Sequence, residues 1–146
     1  MNQPPNIITF LQTPKEFYLS KCKKPRCKCC NILVPYKNEI KIRNKYIKFN
    51  KNANCQTANV IYCLICKCEK LYIGKTTKPF NIRLNLHRQQ TNDEQYTILP
   101  ANKHMKNCGF NIRATILYAS EKGDEMYLDK MEDFFKNVIR PELNSM

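Results

Sequence analysis

Between Val60 and His87 the chain reads VIYCLICKCEKLYIGKTTKPFNIRLNLH, and this stretch limits the fold more than any other. Two runs rich in β-branched and aromatic residues, Val60–Cys66 and Leu71–Thr76, are separated only by Lys67–Lys70, which predicts a tight antiparallel hairpin. Thr77, Lys78 and Pro79 then open a helix that carries Ile82, Leu84 and Leu86 and runs to about Arg88. Directly opposed residues of an antiparallel pair share a face, so a reversal centred near Lys67 makes Tyr62 and Tyr72 such a pair. Gly74 falls on the same face, where the missing side chain lets a phosphate or a helix approach closely. Arg83 and His87 are four apart on the helix and share one of its faces.

The rest of the chain completes an α+β reading with three regions. Residues 1–20 form an arm in which Pro4-Pro5 and Pro14 break regular structure and Ile7, Ile8, Phe10 and Leu11 can dock. Residues 21–56 are a Cys-, Lys- and Asn-rich module with a short hairpin over Ile40–Phe49 that turns at Asn44-Lys45. Residues 57–146 are the main domain. After the hairpin and first helix come a polar loop (Gln89–Gln95), a helix from Leu99 to Lys106 and a stop at Cys108-Gly109. A third strand over Phe110–Ala119 follows. The last helix, Gly123–Ile139, has Met126, Leu128, Met131, Phe134, Phe135 and Val138 as its apolar stripe and Glu132 opposite, and Pro141 closes it.

Lysine and arginine outnumber the acids 25 to 12, a formal net charge of +13 in 146 residues. A surplus of that size points to a polyanion, nucleic acid first. Lys75, Lys78 and Arg88 flank the predicted cleft, and Lys21–Lys28 and Lys41–Lys51 can track a duplex. The start, MNQPPNIITFLQTPKEF, lacks the basic opening and long apolar core of a signal peptide. The longest strongly apolar run, Val60–Cys66, is too short to span a bilayer. The expectation is an intracellular, nuclear protein with no membrane partner. There, nine cysteines mean metal before disulfide.

Cys66 and Cys68, two apart at the hairpin tip, pair with His104 and Cys108, four apart on a helix, as one four-ligand zinc set. Cys22, Cys27, Cys29 and Cys30 crowd a basic knuckle, and three of them can join Cys55 in a second set; Cys22, Cys27 and Cys30 are favoured, leaving Cys29 and Cys63 spare. Seven thiolates remove seven charges and two zinc ions return four, so the chain stays basic at about +10.

Tyr62, Tyr72, Arg83, His87 and Glu132 are also the parts that phosphodiester hydrolysis needs: phenols or an imidazole to take a proton, a guanidinium for the growing charge and a carboxylate for a metal. The Val60-Ile61-Tyr62 and Tyr72-Ile73-Gly74 triads, with Arg83 and His87 after them, resemble the GIY-YIG nucleases. Val60 stands where that motif has glycine. The resemblance implies a small three-stranded antiparallel sheet flanked by helices and magnesium-dependent cleavage of DNA. It makes Tyr62 the base, Glu132 the magnesium ligand and Asn144 the late asparagine. The run QPPN at Gln3–Asn6, the knuckle Cys22–Cys30, Cys55 before NVIY and the C-x-C between the tyrosine triads are similar to the endonuclease region of Penelope-like retroelements. That likeness implies an excised endonuclease region or an independent protein derived from one, with a reverse transcriptase, encoded with it or elsewhere, as a partner. The expected function is a magnesium-dependent, nicking DNA endonuclease with structural zinc. The alternative is a zinc-dependent DNA-binding module with an inert nuclease cleft, and a protein-interaction adaptor ranks third.

Overall fold

The computed structural model describes residues 15–96, 100–121 and 123–145. Of the arm expected over residues 1–20, positions 1–14 with their prolines and apolar residues lie outside the described residues, as does the Leu99 start of the second helix. Residues 15–20 are described and bury Leu19 on a short strand. The strands are β1 (Tyr18–Ser20), β2 (Tyr36–Lys37), β3 (Glu39–Ile42), β4 (Lys45–Lys48), β5 (Ala53–Asn54), β6 (Val60–Cys66), β7 (Leu71–Thr76) and β8 (Ile112–Ala119). A 3-10 turn spans Lys28–Asn31, and the helices are α1 (Phe80–Thr91), α2 (Pro100–Asn107), α3 (Glu125–Ile139) and α4 (Glu142–Ser145). The fold is α+β. The central sheet is antiparallel in the order β7-β6-β8; β1 pairs antiparallel with β2 and parallel with β5, and β3 pairs with β4. Among the described residues no helix is long and apolar enough to cross a membrane.

β6 is apolar without alternation because both of its faces are covered. Val60, Tyr62 and Leu64 share a core with Phe80 and Leu84 of α1, whereas Ile61 and Cys63 join Leu128, Phe135 and Ile139 of α3. The first core also takes in Leu19 from the arm and Cys29, Leu33, Phe49 and Ala53 from the cysteine-rich segment. The β3–β4 hairpin contributes Ile42 and Ile47 to the second.

Three local expectations need correction. Tyr62 pairs with Gly74, and Tyr72 with Leu64, so the two phenols share a face without being directly opposed. The reversal occupies residues 67–69, closed by Glu69 N–H to Cys66 O at 2.7 Å and Cys66 N–H to Lys70 O at 2.9 Å. Glu69 takes the left-handed conformation (φ 73°) that such a three-residue loop demands at its last position. The β3–β4 hairpin turns at Arg43-Asn44, one residue earlier than expected: Ile42 pairs with Lys45 and Arg43 has φ 56°.

The third correction concerns α3. Asp124 caps it, accepting from the N–H groups of Met126 and Tyr127, so the helix begins at Glu125. Its buried residues are Leu128, Phe135 and Ile139, while Met126 and Phe134 are 72% and 54% exposed. Glu132 is one turn from Leu128 and therefore lies on the packed side of α3, not opposite it. On α1 the buried side is Phe80, Leu84, His87 and Thr91, which leaves Ile82 and Leu86 outside.

Candidate functional site

Gly74 makes the centre of the site possible. A Cβ there would stand 2.5 Å from Tyr62 Oη and 2.6 Å from Tyr62 Cζ. The close approach is thus made by the Tyr62 phenol, not by a phosphate or a helix. The ring lies over the strand and reaches His87 on α1, where Oη and Nε2 share a hydrogen bond of 2.7 Å. The His87 ring stands edge-on to both tyrosines, 5.7 Å from Tyr62 and 5.5 Å from Tyr72 between centroids. Phe80 closes the far side of Tyr62 at 5.3 Å.

Burial separates the roles open to these groups. Tyr62 has 0% exposure and His87 3%, whereas Tyr72, Arg83 and Glu132 are half-buried. Burial, then the neighbouring Tyr72, pushes the Tyr62 hydroxyl well above the usual phenol range, against the pull of Arg83. Tyr72 is raised too, by burial, with Arg83 again opposing. His87 is lowered to about 3, first by burial and then by repulsion from Arg83, so it is a neutral imidazole at pH 7. Its Nδ1 is buried with no hydrogen-bond partner among the described residues. The Arg83 charge bears on all three rings, and the Glu132 charge on both phenols. The phenols and the imidazole thus form one aromatic cluster that feels the Arg83 cation, and the phenols also feel the Glu132 carboxylate. The expectation that attacking water reaches Tyr62 is not met by this geometry; Tyr72 is the phenol with exposed surface.

Other expected residues fall elsewhere. Lys75 is on the opposite face of β7 from Tyr72 and Gly74, in an ion pair with Asp129 of α3. Arg88 lies over the Phe110 ring at 5.2 Å, and Lys78 is exposed before α1. Asn144 clasps the outer edge of β7: its Oδ1 accepts from Ile73 N–H at 2.8 Å and its Nδ2 donates to Ile73 O at 2.7 Å. Glu142 accepts from Leu71 N–H on the same edge. These two side chains replace the missing neighbour strand and hold the segment that carries Tyr72 and Gly74. Sequence reading missed Lys136, whose ammonium is 3.4 Å from Glu132 Oε1; the spacing Glu132-x-x-x-Lys136 on one helix face was the available signal. A cavity of about 690 Å³ lies between the β3–β4 hairpin and the β6–β7 tip, and none of the five candidate catalytic residues lines it.

Both cysteine sets assemble. Cys22, Cys27, Cys30 and Cys55 form one group, and Cys66, Cys68, His104 and Cys108 another, with the ligand atoms of each within 4.8 Å of one another. A tetrahedral zinc with bonds of about 2.3 Å to sulfur needs sulfurs about 3.8 Å apart. Cys22 and Cys30 are 3.6 Å apart, and Cys30 and Cys55 3.7 Å. In the second group His104 Nε2 is 3.1 Å from Cys68 Sγ and 3.5 Å from Cys108 Sγ. The donor sets can hold a metal such as zinc. The backbone N–H of Lys24 is the main cause that lowers Cys22 to about 6, and that of Lys70 lowers Cys68, both toward the thiolate a metal requires. Cys29, beside Cys55 but outside the first ligand set, and Cys63 are both buried, and burial raises each thiol to about 12.

The first group also touches the site through the backbone. α1 begins at Pro79 without a side-chain cap. Instead Asn81 N–H bonds to Cys55 O at 2.8 Å and Phe80 N–H to Thr57 O at 2.9 Å. The segment anchored by Cys55 thus satisfies the free donors of the helix that carries Arg83 and His87. No family model, curated protein or solved structure matches the chain.

Proposed function

We propose that the chain is a metal-dependent DNA endonuclease that nicks its substrate, with two zinc ions as structural support. The observation that carries the reading is the packed cluster of Tyr62, Tyr72 and His87, which feels the charges of Arg83 on α1 and Glu132 on α3, in a strongly basic chain. Glu132 fits magnesium, which takes one or two carboxylates and keeps several waters; its side chain is 16% exposed beside an accessible phenol. When bound, magnesium supplies neutralisation of the phosphate and a more acidic water.

The chain's own groups do the rest. The Arg83 guanidinium, fixed in charge and planar, stabilises the negative charge that grows on the phosphate. Tyr72 faces the water-accessible side and, as the phenolate formed when its own proton has passed to solvent and favoured by the Arg83 charge, takes the proton of the attacking water. Tyr62 and His87 stand behind it as a buried pair that fixes its position and excludes water, and neutral His87 adds no positive charge to compete for the phosphate. The resemblance to GIY-YIG nucleases of Penelope-like elements supports the same reading and adds a reverse transcriptase as a partner. The zinc groups pin the hairpin tip to α2 and hold the start of α1.

The test is nicking of supercoiled plasmid by the zinc-loaded protein with and without magnesium. Glu132→Ala and Tyr72→Phe are expected to lose on the order of hundredfold or more in rate while DNA affinity remains. Metal-independent nicking, or full activity in Glu132→Ala, would overturn the reading. A second reading, a zinc-dependent DNA-binding module with an inert cleft, is favoured by the Lys136–Glu132 pair; it gives salt-sensitive binding with no nicking.

A further inference from the structure

We propose that Lys136 couples binding of the divalent ion to binding of nucleic acid, by exchanging the Glu132 carboxylate for a substrate phosphate. The inference rests on the cleft being a nuclease site. Residues 132 and 136 are one turn apart on α3, and Lys136 Nζ is 3.4 Å from Glu132 Oε1. The carboxylate side chain is 16% exposed and the lysine side chain 35%, so the lysine is the more exposed partner. Its charge also acts on the Tyr72 hydroxyl. Lys75, which also feels the Glu132 charge, is engaged by Asp129.

A carboxylate this far from water needs a counter-charge, and in the metal-free chain Lys136 supplies it. The same carboxylate is the one a divalent ion would take. Two cations cannot share it closely: with water-like screening, a divalent and a monovalent charge a few ångströms apart repel enough to change affinity by about tenfold. Lys136 must therefore leave when the ion arrives. Its ammonium is a compact, hydrated charge on a flexible stem with three donors, suited to a phosphate oxygen. An ion on Glu132 frees Lys136 for phosphate, and a phosphate that draws Lys136 away frees Glu132 for the ion. Linkage makes the two effects equal in size. The cleft thus holds its ion weakly until a strand is present.

The test uses the zinc-loaded chain and Mn²⁺ as the probe, with affinity read by electron paramagnetic resonance in the absence of DNA. Lys136→Met and Lys136→Gln are expected to bind Mn²⁺ about tenfold more tightly than the native chain. In parallel, anisotropy of a labelled duplex with and without Ca²⁺ reads the reverse effect. Ca²⁺ tightens DNA binding by the native chain relative to both variants. Unchanged or weaker Mn²⁺ binding in both variants overturns the coupling. Glu132→Gln separates the two levels. If it abolishes Mn²⁺ binding and the lysine variants do nothing, only the coupling fails. If Mn²⁺ binding ignores Glu132, the reading of the cleft fails with it.

Discussion

Replacing Gly74 by alanine sets two opposite effects against each other at one atom. In a strand interior alanine is favoured over glycine by about 0.5–1 kcal/mol, because the unfolded chain loses less freedom. Gly74 does not have a positive φ, so no backbone strain opposes the change. The opposition is steric: the new Cβ would stand 2.5 Å from Tyr62 Oη, 2.6 Å from Tyr62 Cζ and 3.0 Å from Tyr72 Cε1. Tyr62 cannot yield cheaply, since Phe80, Tyr72 and His87 surround its ring and its hydroxyl is bonded to His87 at 2.7 Å. Overpacking costs about 1–3 kcal/mol. Breaking a buried hydrogen bond and leaving its partners unpaired adds about 1–3 kcal/mol. The net expectation is a loss of about 2–4 kcal/mol. The chain has no tryptophan, so urea unfolding followed by far-UV circular dichroism is the suitable assay. In a Tyr62→Leu background the same substitution should cost at least about 1 kcal/mol less, because the obstructing atoms are gone. If Gly74→Ala is as stable as the native chain, or its cost is the same in both backgrounds, the account of Gly74 as the seat of the Tyr62 phenol is wrong.

Metal analysis of the purified chain should find two zinc ions, one per ligand group, with Cys29→Ser and Cys63→Ser still binding two and Cys55→Ser binding one. Cys55→Ser should also loosen the start of α1, read as faster amide exchange at Phe80 and Asn81. Asn144→Ala removes both hydrogen bonds to Ile73 and should cost about 1–3 kcal/mol, with Ile73 amide exchange accelerated; unchanged exchange would show that the clasp does not hold the edge. His87 is lowered to about 3 from its usual value near 6.5, so the unfolded chain takes up a proton that the folded one refuses. Its contribution to stability is full above about pH 6.5 and is lost as pH falls toward 3, by about 2 kcal/mol at pH 5. The drop between pH 7 and pH 5 should therefore be smaller in His87→Gln by roughly that amount, and an equal drop would refute a buried neutral imidazole.

The sequence by itself determined where the elements of the main domain lie and which zinc ligands pair locally. Val60–Cys66 and Leu71–Thr76 are strands because β-branched runs bounded by a four-residue polar break leave little else. Cys66 and Cys68 are legible as a pair because a two-residue step keeps them together at the hairpin tip, whereas Cys55 meets Cys22, Cys27 and Cys30 only through the fold. His104 and Cys108 are legible because four residues make about one helical turn. The same local rule joined Arg83 to His87. What the tertiary structure decided depends on contacts between segments far apart in the chain. The strand register follows from a left-handed Glu69 at the loop, which puts Tyr62 opposite Gly74 and buries it, while Tyr72 keeps an open side. The side of α3 that faces the sheet depends on which apolar residues β6 and β7 offer, and that brought Glu132 inward and left Met126 and Phe134 outside. Lys75 paired with Asp129 and Asn144 with the edge of β7 only because packing brought those elements together. Periodicity fixes the face of an element relative to itself; only the partner surface fixes which face is inside.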